Sequence, residues 1–232
     1  MDCWICQVNV ADSREHRLKR SDIESHVGSV SPDRPMFRHI PGSSPRRIAS
    51  SRSEHFKFEA TICHSCNTGK TQPYDLAWEK LSRFIGTRKI GLLASRRLFL
   101  KSVFPGSSKI DSERMQLFFI RILGRRCVED LKDFDTAPFS ECLATGNPLV
   151  GFHLNLGIIS ATSHDFRSAL YSHLSLLKAN IPGVYGAIGM RYQVGALRVD
   201  MLYAPGPDGD RTFPGFWSAT RSSRVLRLDI HN

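Results

Sequence analysis

Two cysteine pairs bracket an acid–histidine pair in the N-terminal third of the chain. The first pair is Cys3 and Cys6, and the second is Cys63 and Cys66, each with two residues between the thiols. That spacing lets the backbone turn tightly enough to place both sulfurs on one side, and four thiolates in tetrahedral geometry are what Zn²⁺ prefers. A redox dithiol would need a βαβ setting, for which the sequence gives no sign. The pattern therefore predicts a structural zinc site.

The residues beside these thiols could carry acid–base chemistry. Glu15 and His16 are adjacent between the two pairs, and Asn67 directly follows the last cysteine. An imidazole titrates near neutrality and can activate a water molecule, while carboxylate and amide oxygens suit a hard cation such as Mg²⁺ or Mn²⁺. These are the residue types that hydrolysis of a phosphodiester requires, with a catalytic metal distinct from the zinc.

The order of these motifs resembles the HNH endonucleases over about residues 3–85. A predicted strand over Phe56–Ile62 leads into the second cysteine pair, which continues as Asn-x-Gly-Lys. The resemblance implies a ββα-metal unit held together by four zinc cysteines. It also implies that a residue between the two pairs orients the catalytic imidazole, and Glu54 and His55 are the candidates for that role.

The resemblance also assigns roles to individual residues. It makes His16 the general base and makes Glu15 and Asn67 the ligands of the catalytic Mg²⁺ or Mn²⁺. Lys70 and Arg17 are expected to contact the substrate phosphate. The implied substrate is DNA in preference to RNA, and a protein partner or a homodimer is left open. The alternative is a zinc module that binds nucleic acid or protein without cutting, in which the acid–histidine pair is incidental.

Positive charge is concentrated after the second cysteine pair. The net charge is +10, and residues 71–126 carry 12 Lys and Arg against 4 Asp and Glu. Such a field attracts phosphates, which agrees with a nucleic-acid partner. Charge alone is equally compatible with helix faces that simply face water.

The elements expected to position the site fall into two parts. Residues 1–86 are predicted to form the zinc-binding ββα-metal domain, with an insert at 28–53 whose Arg, Ser and Pro content predicts a mobile loop. A helix is predicted to begin at Pro73, because proline fits the first turn. Its apolar stripe has helical spacing and comprises Tyr74, Ala77, Trp78, Leu81, Phe84 and Ile85.

Residues 87–232 are predicted to form a basic helical segment and a small α+β domain of unassigned role, so that the chain as a whole is α+β. A helix is expected over Ser112–Leu131, with its apolar side buried and its arginines, Arg121, Arg125 and Arg126 among them, off that side. Alternating apolar residues predict strands over 150–159, 187–194, 197–203 and 225–230, and helical spacing predicts a helix over 165–179.

The composition is that of a globular protein. Hydrophobic residues make up 41% of the chain, and no apolar run approaches the roughly 18 residues that a membrane helix needs. No basic-then-apolar leader precedes Cys3. These features predict a cytoplasmic protein with no membrane association. Cys127 and Cys142 lie outside the pairs and are expected to be buried as small apolar residues.

Overall fold

The chain folds into mixed α and β structure, as predicted, with 40% of residues in helices and 27% in strands. This computed structural model describes residues 2–38, 44–59, 61–131, 134–160, 169–178, 185–206, 213–220 and 224–231. The five α-helices of these residues are Arg20–Asp22 (α1), Gln72–Ser95 (α2), Leu100–Val103 (α3), Ser108–Asp130 (α4) and Ala137–Thr145 (α5). Among them, none combines the length and the apolarity that crossing a membrane requires.

The insert at 28–53 contains ordered structure, which corrects the prediction of a mobile loop. Two short antiparallel strands, Met36–Arg38 (β1) and Arg46–Ile48 (β2), pair with Met36 opposite Ile48. Both of these side chains are buried, because the pair joins the apolar core under the N-terminal region. Residues 39–43 of the segment linking the two strands lie outside the described residues.

The predicted strand over Phe56–Ile62 is wrong as a continuous element. A 3₁₀ turn occupies Glu54–Phe56, and in the described residues the backbone of the segment then pairs with residues 13–16 through two isolated bridges, His16 with Lys57 and Ser13 with Ile62. Between these bridges, arginine side chains donate hydrogen bonds to the backbone carbonyls. Arg14 Nε donates to the Phe58 carbonyl (3.0 Å), and the guanidinium of Arg125 on α4 donates to the Glu59 carbonyl. Arginine side chains therefore satisfy carbonyl groups that a ladder would otherwise pair.

The helix predicted at Pro73 is α2, with that proline in its first turn. It follows a turn of π-helix at Cys66–Lys70 and ends where Arg96 adopts a left-handed conformation (φ 53°). The second predicted helix is α4, which begins four residues earlier than expected. The two helices pack through aromatic rings, with the Trp78 ring centroid 4.6 Å from that of Phe119 and 5.7 Å from that of Phe118.

A seven-stranded sheet forms the C-terminal half. Its strands are Arg97–Phe99 (β3), Phe152–Ile159 (β4), Ala169–Tyr171 (β5), Ser175–Lys178 (β6), Tyr185–Val194 (β7), Leu197–Tyr203 (β8) and Val225–His231 (β9). The order is β3-β9-β4-β8-β7-β5, and β6 also pairs with β7. Only β4 and β9 are parallel among these described pairs. The four strands predicted in this region are confirmed, with ends displaced by at most two residues.

The helix predicted over 165–179 is wrong where the structure describes it. Residues 169–178 contain β5 and β6, and both pair antiparallel with the ten-residue strand β7. The apolar spacing fits a helix, but the long edge of β7 offers backbone donors and acceptors that two short strands satisfy. Tyr171 on β5 also packs its ring edge-on against Phe58 at 5.5 Å.

The N-terminal region and the sheet share one apolar core. Tyr192 on β7 contacts the rings of Trp78, Phe118 and Phe119, and its hydroxyl donates to the buried carboxylate of Asp22. Asp22 also accepts hydrogen bonds from Trp78 Nε1 (2.6 Å) and a serine hydroxyl of α2. The predicted division at residue 86 falls inside α2, and it stays a prediction about domain organisation.

Candidate active site beside a four-cysteine cluster

The four cysteines of the two pairs converge to form a thiol cluster. The ligand atoms of Cys3, Cys6, Cys63 and Cys66 all lie within 4.8 Å of one another. A tetrahedral zinc site with Zn–S bonds of about 2.3 Å places its sulfurs about 3.8 Å apart. The measured separation of Cys6 Sγ from Cys63 Sγ is 3.9 Å, so this donor set fits a structural zinc ion.

Backbone turns set the positions of these sulfurs. The amide of Gln7 donates to the Cys3 carbonyl (2.7 Å), and Gln7 adopts a left-handed conformation (φ 54°) that reverses the chain after Cys6. In the second turn the amide of Asn67 donates to the Cys63 carbonyl (3.0 Å). Each pair is thus one tight turn, which is why two intervening residues suffice.

The electrostatics of the cluster favour a bound cation. Backbone hydrogen bonding at Asn9 lowers the pKa of Cys6 to about 6, whereas burial raises the pKa of Cys66 well above its usual value. Four thiolates at this spacing would repel one another, and a divalent ion offsets that repulsion. The cluster supports metal binding, in line with the predicted zinc site.

The predicted catalytic residues lie around one cavity, which we call the central pocket. Its volume is about 410 Å³, and Glu15, His16 and Asn67 all line it. Glu15 and His16 come from the segment that follows the first cysteine pair, and Asn67 comes from the turn that carries the second. The thiol cluster therefore anchors both sides of the pocket.

His16 is held in its neutral form. Burial lowers its pKa, and the charge of Lys57 lowers it further, while a hydrogen bond with the backbone of Ser51 acts in the opposite direction. Its Nε2 has no partner among the described residues, so the contact with Ser51 falls to Nδ1. A ring protonated at Nδ1 keeps a lone pair at Nε2 and can accept a proton there.

Neither candidate named from the sequence to orient the imidazole, Glu54 or His55, forms a hydrogen bond with the His16 ring within the described residues. The contact comes from the backbone of Ser51, a position whose side chain gives no sequence signal. Glu54 instead bonds the side chains of Arg14 and Lys57, and it influences His16 only through its charge.

Glu15 is buried and bonded to two arginines of α4. Its Oε1 lies 2.6 Å from an Arg121 guanidinium nitrogen, and its Oε2 lies 3.4 Å from one of Arg125. A carboxylate oxygen has two lone pairs, so each oxygen keeps one that these bonds do not use. A cation at Glu15 would therefore share the carboxylate with two guanidinium groups.

Asn67 lines the central pocket and carries one amide oxygen. Its Nδ2 donates to the Ser13 hydroxyl (2.8 Å), and its Oδ1 accepts no hydrogen bond from the described part of the chain. An amide oxygen of this kind is a suitable ligand for a hard cation.

The two predicted phosphate contacts do not line the central pocket. Lys70 is exposed at the end of the turn that begins at Cys66. Arg17 faces α4, where its guanidinium lies 3.2 Å from the Glu129 carboxylate and over the Phe58 ring at 5.1 Å. The structure thus brings together the predicted base and metal ligands but leaves these two cations outside.

The buried arginines of α4 correct an expectation from sequence. Arg121, Arg125 and Arg126 were expected off the apolar side, but their exposed fractions are 1%, 0% and 8%. Burial is tolerated because carboxylates meet them: Arg121 bonds Glu15 and also binds Asp75 through two bonds of 2.9 Å, and Arg126 pairs with acids of its own helix. No acid lies within four residues of Arg121 in the sequence, which is the signal that its partners lie elsewhere in the chain.

The wall of the central pocket carries balanced charge. Four of its cationic side chains are Arg14, Lys19, Arg20 and Arg121, and four of its carboxylates are Glu15, Glu24, Asp75 and Glu79. With a neutral imidazole, the pocket by itself has no net attraction for a polyanion. A phosphate would need a bound divalent cation or basic groups beyond the pocket.

Comparisons of the chain with protein-family models, with curated proteins and with solved structures find no match.

Proposed function

We propose that this chain is a metal-dependent endonuclease of the HNH type that hydrolyses phosphodiester bonds in DNA. The observation that carries the proposal is the meeting of Glu15, His16 and Asn67 around one cavity that the thiol cluster braces from both sides. Segments 13–16 and 57–62, followed by α2, would correspond to the two strands and the helix of a ββα-metal unit, although only isolated bridges join the segments here.

His16 acts as the general base in this mechanism. Its depressed pKa keeps the ring neutral at pH 7, and the contact at Ser51 favours the tautomer with a free Nε2. That nitrogen takes a proton from water as the water oxygen attacks phosphorus and the bond from phosphorus to the leaving oxygen breaks. A fixed tautomer matters because only one ring nitrogen can serve as the acceptor.

Glu15 and Asn67 would hold the divalent metal through their remaining oxygen lone pairs. When bound there, Mg²⁺ or Mn²⁺ offsets the negative charge that builds on the phosphate and on the leaving oxygen. Arg121 and Arg125 fix the Glu15 carboxylate in place and so position it for this role. Lys70 and Arg17 remain the proposed phosphate contacts, and Arg17 would have to exchange its ion pair with Glu129 for the phosphate.

One observation favours a second candidate, a zinc module that binds nucleic acid or protein without cutting. Both oxygens of Glu15 are already bonded to arginines, so this carboxylate could serve only to hold α4 against the N-terminal region. Under this reading the zinc is the sole metal, and His16 is a structural histidine.

Metal dependence separates the two candidates. Supercoiled plasmid is incubated with the zinc-loaded protein in Mg²⁺, in Mn²⁺ or after brief exposure to EDTA, and the zinc content is measured in each case. The nuclease predicts nicking in Mg²⁺ or Mn²⁺ that stops in EDTA while zinc is retained. Binding without cutting in every metal would instead establish the zinc module.

A further inference from the structure

One edge of the seven-stranded sheet carries an exposed basic surface whose residues do not line the central pocket. We call it the edge surface, and its members are Arg96, Arg97, Lys101, Arg224 and Arg227. Backbone contacts bring them together: Arg97 on β3 lies directly opposite Arg227 on β9. The Leu100 amide, next to Lys101, donates to the Arg224 carbonyl (2.9 Å), and the Leu228 amide donates to the Arg96 carbonyl (3.0 Å).

The charge of this surface is uncompensated. Residues 80–110 contain eight Lys and Arg and no Asp or Glu. Within the described residues, no member of the edge surface forms an ion pair. Asp229 lies two residues along β9 from Arg227, but it accepts a hydrogen bond from Asn155 Nδ2 (2.6 Å) instead. Arg114, an exposed arginine of α4, is by contrast paired with Asp111 (3.3 Å).

The placement of two of these arginines works against stability. Arg97 and Arg227 face each other across antiparallel strands, and like charges directly opposite in a sheet are destabilising. Between Arg97 and Lys101, the ring of Phe99 is 54% exposed on the same strand. An unpaired cationic cluster with an exposed aromatic residue is the composition of a surface that meets a polyanion.

We propose that the edge surface binds the phosphate backbone of duplex DNA as a second contact beyond the central pocket. The proposal rests on the proposed nuclease function and names how that enzyme would hold its substrate. The pocket wall has balanced charge and cannot supply this attraction, whereas the edge surface has five cations without partners among the described residues. Phosphate contacts of this kind position a duplex without reading its sequence.

The helix α2 sets the distance between the two contacts. It begins next to the turn that holds Asn67 and ends at Ser95, immediately before the edge surface. A straight helix of its 24 residues would span about 36 Å at about 1.5 Å per residue, and a kink at Arg88 (φ −121°, ψ 17°) makes the actual span shorter. Duplex DNA advances about 3.4 Å per base pair, so a duplex of about eleven base pairs is long enough to cover the length of α2.

Binding in the absence of divalent metal tests the proposal. The probe is a fluorescent duplex of about 24 base pairs, whose anisotropy is followed from about 0.05 to 0.3 M salt. The double variant Arg97→Gln/Arg227→Gln is compared with Arg114→Gln/Arg191→Gln, which removes two arginines already paired with Asp111 and Asp200. Thermal unfolding of both proteins verifies folding, and the edge variant is expected to melt no lower than wild type because a like-charge pair is removed.

The expected result is about tenfold weaker binding by the edge variant at about 0.1 M salt, with the slope of log K against log salt shallower by about two. The control variant should bind like wild type. Equal losses in the two variants, or unchanged binding by the edge variant, would overturn the proposal. So would a wild-type protein that binds no duplex at low salt.

Cleavage distinguishes failure of this proposal from failure of the nuclease. If wild type cuts plasmid and the edge variant binds and cuts equally well, the edge surface is not a DNA contact while the nuclease stands. If nothing cuts but the edge variant loses affinity and the control does not, the DNA contact stands on a protein without nuclease activity.

Discussion

At the scale of single residues, burial of His16 decides what the central pocket can do. The ring lies beside Lys57, and both desolvation and that positive charge disfavour the imidazolium. A general base has to be unprotonated before the reaction begins, so the same forces that lower its pKa prepare it for the role.

The pH dependence of cleavage follows from that direction. Protonation inactivates the base, so the rate should be flat above about pH 6.5, the ordinary value of a histidine, and should fall as pH drops through the depressed pKa. Initial rates measured from about pH 5 to 8 test this expectation. A rate that keeps rising about tenfold per pH unit above pH 7 would point to a different base.

The thiol cluster has its own test at residue scale. Cys63→Ser removes one of four ligands, and because structural zinc contributes on the order of 10 kcal/mol, the N-terminal region should lose both its zinc and its fold. Cys127→Ser is the matched control, a buried cysteine outside the cluster that should keep zinc. Zinc content and circular dichroism report the outcome. A Cys63→Ser protein with full zinc and native ellipticity would show that the thiol cluster is not the zinc site.

At the scale of elements, α4 organises the pocket through its arginines. Arg121 links Glu15 on one side to Asp75 of α2 on the other, and Arg125 takes a second bond to Glu15. The helix thereby connects the acid–histidine segment with the helix that follows the second cysteine pair. Its buried charges are stable only while every partner is present.

Removing one partner should therefore be costly. Arg121→Met keeps much of the volume but leaves Glu15 and Asp75 with less compensation, and we expect a loss of about 3–5 kcal/mol in the free energy of unfolding. Arg114→Met on the exposed side of the same helix should cost less than about 0.5 kcal/mol. Urea unfolding measures both. Equal, small losses would show that the buried network contributes little.

The elements also show what periodicity can and cannot predict. The start of α2 and the strand β8 followed from Pro73 and from strict alternation over Leu197–Tyr203, since both are local signals. The helix expected over 165–179 failed because pairing with β7, a non-local contact, decided between two structures that the apolar spacing allows. The burial of Arg121 was misjudged for the same reason, because its carboxylate partners, Glu15 and Asp75, are remote in sequence.

At the scale of the whole molecule, the N-terminal region depends on contacts with α4 and the sheet. The apolar core runs without a break from Cys3 to Leu228. Glu15 is satisfied by arginines of α4, and Asp22 by a tyrosine of β7. The candidate site could be predicted from sequence because the cysteine pairs and Glu-His are local motifs. The arginines that bond Glu15, in contrast, lie about a hundred positions away in the chain.

This dependence predicts how a fragment behaves. A protein ending at residue 86 would truncate α2 and remove α4, leaving the Glu15 carboxylate and the apolar faces of Trp78 and Phe58 uncovered. We expect it to bind zinc but to lack a cooperative thermal transition. Circular dichroism with and without zinc gives the answer, and a sharp transition in the fragment would support the domain division at 86 that the sequence suggested.

The most direct test of the proposed active site is the cleavage rate of His16→Ala beside that of His64→Ala. Both variants remove one imidazole, but His64 is exposed in the turn between the second pair of cysteines, whereas His16 lines the central pocket. With supercoiled plasmid and Mg²⁺ or Mn²⁺, we expect His16→Ala to lose at least about a hundredfold in rate while keeping its zinc and its melting temperature. His64→Ala should cut like wild type. Cleavage that survives in His16→Ala would contradict the assignment of the base and with it the proposed active site.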